Sequence, residues 1–137
     1  MTRLTIEFDW DLMGVVATDA AGRLVMPAAP DGPGLYRFWA ESRPGRAWVH
    51  VGESADLQRR LARYVHPRSE HPVDVRINRR LIELIDAGSR VMVWTITDAS
   101  TRVDAGAPVA LDLRRQSNRL LVESAATRAV PPEERPA

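Results

Sequence analysis

Three residues with complementary chemistry stand close together in this chain. Tyr36 closes the tripeptide Gly34-Leu35-Tyr36, His50 opens the tripeptide His50-Val51-Gly52, and Arg60 follows eight positions after Gly52. A phenol and an imidazole donate and accept protons, the imidazole near neutral pH. A guanidinium presents a planar fork of donors that matches the oxygens of a phosphate. Proton movers beside a phosphate grip suit the hydrolysis of a phosphodiester. That reaction needs a deprotonated water, balanced charge at phosphorus and help for the leaving oxygen. Nucleic-acid phosphodiester chemistry is therefore the first expectation. A carboxylate holding a divalent cation would complete it, because the cation stabilises both that charge and the leaving group.

Positioning these residues falls to two strands and a helix. Leu35 to Ala40 reads as a strand, Ser42-Arg43-Pro44-Gly45 as a turn, and Ala47 to Val51 as the return strand, with Trp48 on one face and Val49 and Val51 on the other. Ser54 is a suitable N-cap for a helix over about 55–65, in which Leu57, Leu61 and Tyr64 share the core-facing stripe. A second helix over about 73–87 carries Ile77, Leu81, Leu84 and Ile85 inward and ends at Gly88. Val91 to Thr97 alternates as a strand and is followed by a loop of roughly a dozen residues. Asp112 is placed to cap a last helix reaching about Ala129, with Leu113, Leu120 and Leu121 inward. Ahead of the motif, Leu4 to Phe8 reads as a short strand and 14–27 as a hairpin, and the Pro/Gly stretch 27–34 links them to it. The expected class is α/β (α+β). A small mixed or antiparallel three-stranded sheet flanked by helices occupies 33–130, with an N-terminal β extension over 1–32 and a disordered tail over 131–137.

The motif block resembles the GIY-YIG nuclease superfamily. Gly34-Leu35-Tyr36 stands for its first tripeptide and His50-Val51-Gly52 for its second, with His in place of Tyr. Arg60 falls where the family's catalytic Arg lies, in a segment (ADLQRRLARY) similar to that of the excision-repair incision subunit, and Tyr64 matches an aromatic position there. The family's metal-binding Glu sits in a Leu-Leu-x-Glu context, which Leu120-Leu121-Val122-Glu123-Ser124 fits. The resemblance implies a Mg²⁺- or Mn²⁺-dependent endonuclease acting on DNA. Tyr36 and His50 would handle protons, Arg60 would hold the scissile phosphate and Glu123 the metal. The proton acceptor stays open between Tyr36 and His50. Three departures accompany the match. His50 replaces a Tyr, Glu53 stands where repair relatives often carry Lys and brings negative charge beside the phosphate, and 63 positions separate Arg60 from Glu123, more than in the minimal module. An alternative alignment through Ala110-Leu111-Asp112-Leu113-Arg114 puts Arg at the Glu position and implies a dead site.

Candidate nucleic-acid contacts are Arg59, Arg63 and Tyr64 beside Arg60, and Arg76, Asn78, Arg79 and Arg80 on the second helix. The ordinary alternative for each Arg is a solvated helix face, and for Glu123 an ion pair with Arg119 one turn before it. His66, Glu70 and His71 lack a recurrent metal spacing and read as loop residues.

Composition limits the remaining classes. A chain of 137 residues, 45% apolar with four Trp, is long enough for one domain with a real core. The net charge of +1 is neutral as to partner, but its distribution is polarised. Residues 55–80 hold seven Arg against three acids, whereas the first 33 residues hold five acids against two Arg. All 19 basic residues are Arg, a bias that fits a GC-rich bacterial genome. Cysteine is absent, which excludes disulfides, thiolate catalysis and Cys-ligated metals. No apolar run is long enough for a membrane span and no signal-peptide pattern opens the chain, so the expected compartment is the cytoplasm. Two further functions stay in view. One is a catalytically degenerate nucleic-acid-binding module of the same fold; the other is a protein-interaction domain using the Trp residues.

Overall fold

A computed structural model describes residues 1–129. The tail expected to be disordered, 131–137, lies outside the described residues. The chain runs β1 (Leu4–Phe8), β2 (Asp11–Thr18), β3 (Leu24–Val25), β4 (Gly34–Arg43), β5 (Arg46–Ser54), α1 (Leu57–Val65), α2 (Pro72–Asp86), β6 (Val91–Ile96), β7 (Ala99–Val103), β8 (Val109–Ala110) and α3 (Gln116–Arg128). The class is α+β, with every strand pairing antiparallel.

β4 is the central element. Its ten residues pair with β5 on one side and β6 on the other, and all of Gly34–Phe38 is buried. Alternation along β4 divides two cores. Tyr36, Phe38 and Ala40 join Leu57, Leu61 and Tyr64 of α1 and Ile77, Leu81 and Leu84 of α2. Leu35 joins Ile96, Leu113, Val122 and Ala126 on the opposite face, under α3. The sheet holding the motif strands has five strands, ordered β3-β2-β6-β4-β5, rather than three. The N-terminal hairpin is no appendage: β2 pairs with β6 from Asp11–Thr95 to Val16–Val91 and buries Val16 in the α1/α2 core. The segment after β6, expected as loop, forms β7 and β8, and β7 pairs along its length with β1 in a second sheet.

Helix boundaries follow the expected stripes, with different caps. Asp56 rather than Ser54 caps α1, its carboxylate accepting from the Arg59 N–H at 3.1 Å. Asp112 does not cap α3; it accepts from the Arg114 side chain and backbone N–H, and these hydrogen bonds hold its carboxyl at about 2. The inward face of α3 also differs. Arg119, Val122 and Ala126 point inward at spacings of three and four, while Leu120 and Leu121 are exposed. Apolar residues occur all round this helix, so the two leucines give no unique inward direction.

The glycines of the two tripeptides are explained by space. A Cβ on Gly34 would lie 2.4 Å from the Ile96 carbonyl oxygen, and one on Gly52 would lie 2.2 Å from the Tyr36 hydroxyl oxygen. Tyr36 and Gly52 are cross-strand partners, so the tyrosine ring lies directly over the glycine. Gly52→Ala is expected to destabilise the fold by about 1–3 kcal/mol in urea unfolding, because the ring cannot shift without leaving its partners. Stability within about 0.5 kcal/mol of wild type, as for an ordinary surface change, would contradict this packing.

Candidate active site

β4, β5 and α1 bring four of the expected residues together around one hydroxyl. Tyr64, from the buried stripe of α1, reaches the Tyr36 hydroxyl at 2.6 Å. His50, two positions before Gly52 on the same face of β5, places Nε2 3.2 Å from the Tyr64 oxygen. Arg60, one turn before Tyr64, donates from Nη2 to the same oxygen at 2.9 Å while its guanidinium lies 4.6 Å from the Tyr64 ring centroid. Tyr64 accepts from Arg60 and donates to either His50 or Tyr36; in the first case Tyr36 donates to Tyr64 and every group is satisfied, in the second the Tyr36 proton has no acceptor within the cluster.

Asp74, which the sequence analysis did not select, anchors this cluster. It lies in the first turn of α2, is 2% exposed, and accepts from Arg60 Nη1 at 2.9 Å. Arg63 Nη2 lies 2.9 Å from its other carboxylate oxygen, as an ion pair outside hydrogen-bond angles. Asn78 donates from its side-chain amide to the Tyr64 carbonyl at 2.7 Å, tying α2 to α1. Two expected nucleic-acid contacts therefore need correction. Tyr64 is fully buried and Asn78 is engaged internally, so both build the site rather than face solvent. Arg59, Arg63, Arg76 and Arg79 are exposed, and Arg80 meets Glu83 at 3.4 Å.

The ionisation states differ in direction. Burial raises both phenols above the ordinary tyrosine value, and for Tyr64 the adjacent Tyr36 adds to the rise. Neither is a phenolate at neutral pH. Burial lowers His50 below 6.5, with Arg60 and Arg76 adding to the effect. Its imidazole is neutral at pH 7, which makes His50 the member of the cluster able to accept a proton there.

Glu123 does not join this network. Glu53 pairs with Leu35 across β4 and β5, and its side chain emerges on the face covered by α3. There it forms an ion pair with Arg119, 5% exposed, and accepts from Gln116 at 3.3 Å. Arg119 thus pairs with Glu53 rather than with Glu123, and donates as well to the Leu113 and Arg114 carbonyls. The negative charge expected from Glu53 is compensated. Burial, and then the Glu53 charge, raise the Glu123 carboxyl above its ordinary value. Of the four residues to which the resemblance gives a part in the reaction, three meet through Tyr64, whereas Glu123 sits with Glu53 across the sheet. The two groups back onto the same strand end, however. Glu53 directly follows Gly52, on which the Tyr36 hydroxyl rests, and β5 is an edge strand.

A metal fit can be judged from the donors. No cluster of three or more His, Asp or Glu suited to a metal occurs among the described residues. Mg²⁺ needs less than that, one or two carboxylates with water and substrate oxygens supplying the rest. Glu123, partly buried and not paired with Arg119, is the carboxylate that could take that part. No helix is long and apolar enough to cross a membrane among the described residues. Comparison with models of known protein families, with curated proteins and with solved structures returns no match.

Two outcomes follow from these environments. His50 has a folded pKa below its unfolded value, so its contribution to stability is present above pH 6.5 and is lost as pH falls through the folded value. Wild type should therefore lose more stability than His50→Gln between pH 7.5 and pH 5; parallel losses in thermal unfolding would contradict a depressed imidazole. Asp74→Ala should destabilise by somewhat less than the ~3–5 kcal/mol typical of a broken buried pair, because Arg60 and Arg63 keep some access to water. A neutral result in urea unfolding would remove Asp74 as the anchor.

Proposed function

We propose that the protein is a metal-dependent endonuclease of GIY-YIG type that hydrolyses phosphodiester bonds, with DNA as its substrate. The supporting observation is the Tyr36–Tyr64–His50–Arg60 cluster: four polar side chains from three segments, converging on one hydroxyl where an apolar core would be simpler to build. Arg60, oriented by Asp74, supplies the donors for the non-bridging phosphate oxygens. His50 accepts the proton of the attacking water. The two phenols stay protonated; they orient the imidazole and the guanidinium. Glu123 would hold Mg²⁺ or Mn²⁺ near the edge of β5. There the cation would stabilise charge on the phosphate and leaving oxygen. The scissile strand would cross that edge, touching both faces.

A second reading is a nucleic-acid-binding module without efficient chemistry. It is favoured by the separation of Glu123 from the Tyr64 cluster and by the neutralisation of Arg60 by Asp74.

Cleavage of plasmid and branched DNA with Mg²⁺ or Mn²⁺ distinguishes the two. Glu123→Ala should abolish metal-dependent cleavage with affinity for DNA within a few-fold of wild type. Arg60→Ala should slow cleavage about 10²-fold or more, the effect of removing a donor to transition-state charge. DNA binding without cleavage by the wild type would select the second reading. Separately, Mg²⁺ should raise the melting temperature of wild type and not of Glu123→Gln; equal shifts would contradict Glu123 as its ligand.

A further inference from the structure

Beside the Tyr64 cluster, on the outer side of α1, lies a cavity of about 420 Å³. Arg59, Arg60 and Arg63 form one wall, and His66, Arg68 and His71 from the loop between α1 and α2 form another. The Ser54–Asp56 corner closes an end. Among the described residues, the sole carboxylate in its lining is Asp56, which is engaged in capping α1. Asp74 lies behind the wall, holding Arg60 and Arg63 through one oxygen each. Each guanidinium keeps further donors. Arg68 meets Glu70 at 3.9 Å, with both side chains largely exposed. Arg59 makes no ion pair among the described residues.

The lining specifies a ligand by what it includes and by what it lacks. Four arginines line it, and guanidinium groups are suited to phosphoryl oxygens. No Phe, Tyr, Trp or long aliphatic side chain lines the cavity among the described residues; its only rings are the His66 and His71 imidazoles, and the lining is dominated by cationic groups. The neighbouring cavity, about 480 Å³ between β3 and α1, is lined by Leu24, Val25, Met26, Leu61 and Val65 and has the opposite character. Arg60 belongs both to the cationic cavity and to the Tyr64 cluster, which makes the two contiguous.

We propose that this cavity is a phosphoryl subsite, separate from the position of the scissile phosphate, in which Arg59, Arg63 and Arg68 bind a second phosphate of the same polynucleotide. The identity of the ligand as a polynucleotide rests on the nuclease reading; the affinity for a phosphoryl group does not. The subsite fixes the register of the strand, because the phosphate it takes sits at a set distance from Arg60. The ligand chemistry is the same whether the group is a terminal monoester or a backbone diester.

The test uses full-length protein and an Arg59→Ala/Arg68→Ala double variant, both substitutions at exposed positions, with far-UV circular dichroism to establish folding. Inorganic phosphate and pyrophosphate are titrated at constant ionic strength and read by thermal shift. Short single-stranded oligonucleotides with a 5′-phosphate, a 3′-phosphate or only hydroxyl ends are titrated by fluorescence anisotropy without metal. The expected result is stabilisation by pyrophosphate beyond that of chloride, lost in the double variant, and oligonucleotide binding weakened at least tenfold in it. Tighter binding of one phosphorylated end would assign a terminal phosphate. Equal binding of all three, still weakened tenfold by the variant, would assign a backbone phosphate. A double variant that binds every probe like wild type, or stabilisation no greater than that of chloride, would overturn the subsite. Phosphate binding retained in a protein that cleaves nothing would leave the subsite standing and remove the nuclease reading instead.

Discussion

The Tyr64 hydroxyl is the constraint on which the site depends. It lies at the bottom of the α1/α2 core, fully buried, and serves Tyr36, His50 and Arg60 at once. A buried hydroxyl without partners costs roughly 1–3 kcal/mol, so such a group persists only where its neighbours answer it. Those neighbours come with constraints of their own. Tyr36 reaches Tyr64 because Gly52 leaves room beneath its ring, and Arg60 reaches it because Asp74 draws the guanidinium inward from α2. Removing one member leaves the others with unmet hydrogen bonds in a poorly solvated place. The arrangement therefore has few tolerated variants, and the packing of α1 on the sheet and the chemistry of the site share the same contacts.

Electrostatics divides the molecule across β5. One face carries Arg60 and Arg63 with Asp74 beneath them, and a neutral imidazole whose proton affinity is reduced by burial and by neighbouring arginines. The other carries Arg119 bonded to Glu53, with Glu123 beside them in no ion pair among the described residues and its carboxyl raised by burial and by Glu53. A carboxylate in that state is a liability for the free protein and an asset toward a cation. On the proposed reading, the edge strand between the two faces is where a polyanion and a cation would meet.

Periodicity in the sequence was sufficient for the elements that bury a clear stripe. Leu57, Leu61 and Tyr64 define α1, Ile77, Leu81 and Leu84 define α2, and the alternation on β4 and β5 assigns Tyr36 and His50 to one face. What the sequence did not disclose depends on distant partners. Asp74 becomes an anchor only when α2 packs on α1, and nothing local distinguishes it from an ordinary acidic residue in a first helical turn. Glu53 meets Arg119 from 66 residues away, and β7 becomes a strand because β1 offers it an edge. In α3 the pair Leu120-Leu121 suggested the wrong inward direction, because Val122 and Ala126 are better matched to the small space against Leu35. Tyr64 stands among the candidate nucleic-acid contacts beside Arg60 and Arg63 and matches an aromatic position of the family, while its spacing from Leu57 and Leu61 places it on the core-facing stripe, where the structure has it.

The central claim is that the buried cluster is organised for chemistry rather than for stability, and Tyr64→Phe tests it most directly. The substitution keeps the ring and its packing and removes the hydroxyl alone. The measurement is the metal-dependent rate of DNA cleavage, set beside urea unfolding of the same variant. The account predicts a rate at least tenfold below wild type, measured where unfolding shows the variant still fully folded; some loss of stability is expected as well, because Tyr36, His50 and Arg60 lose a shared partner. An unchanged cleavage rate, or a wild type with no cleavage for the variant to lose, would contradict it.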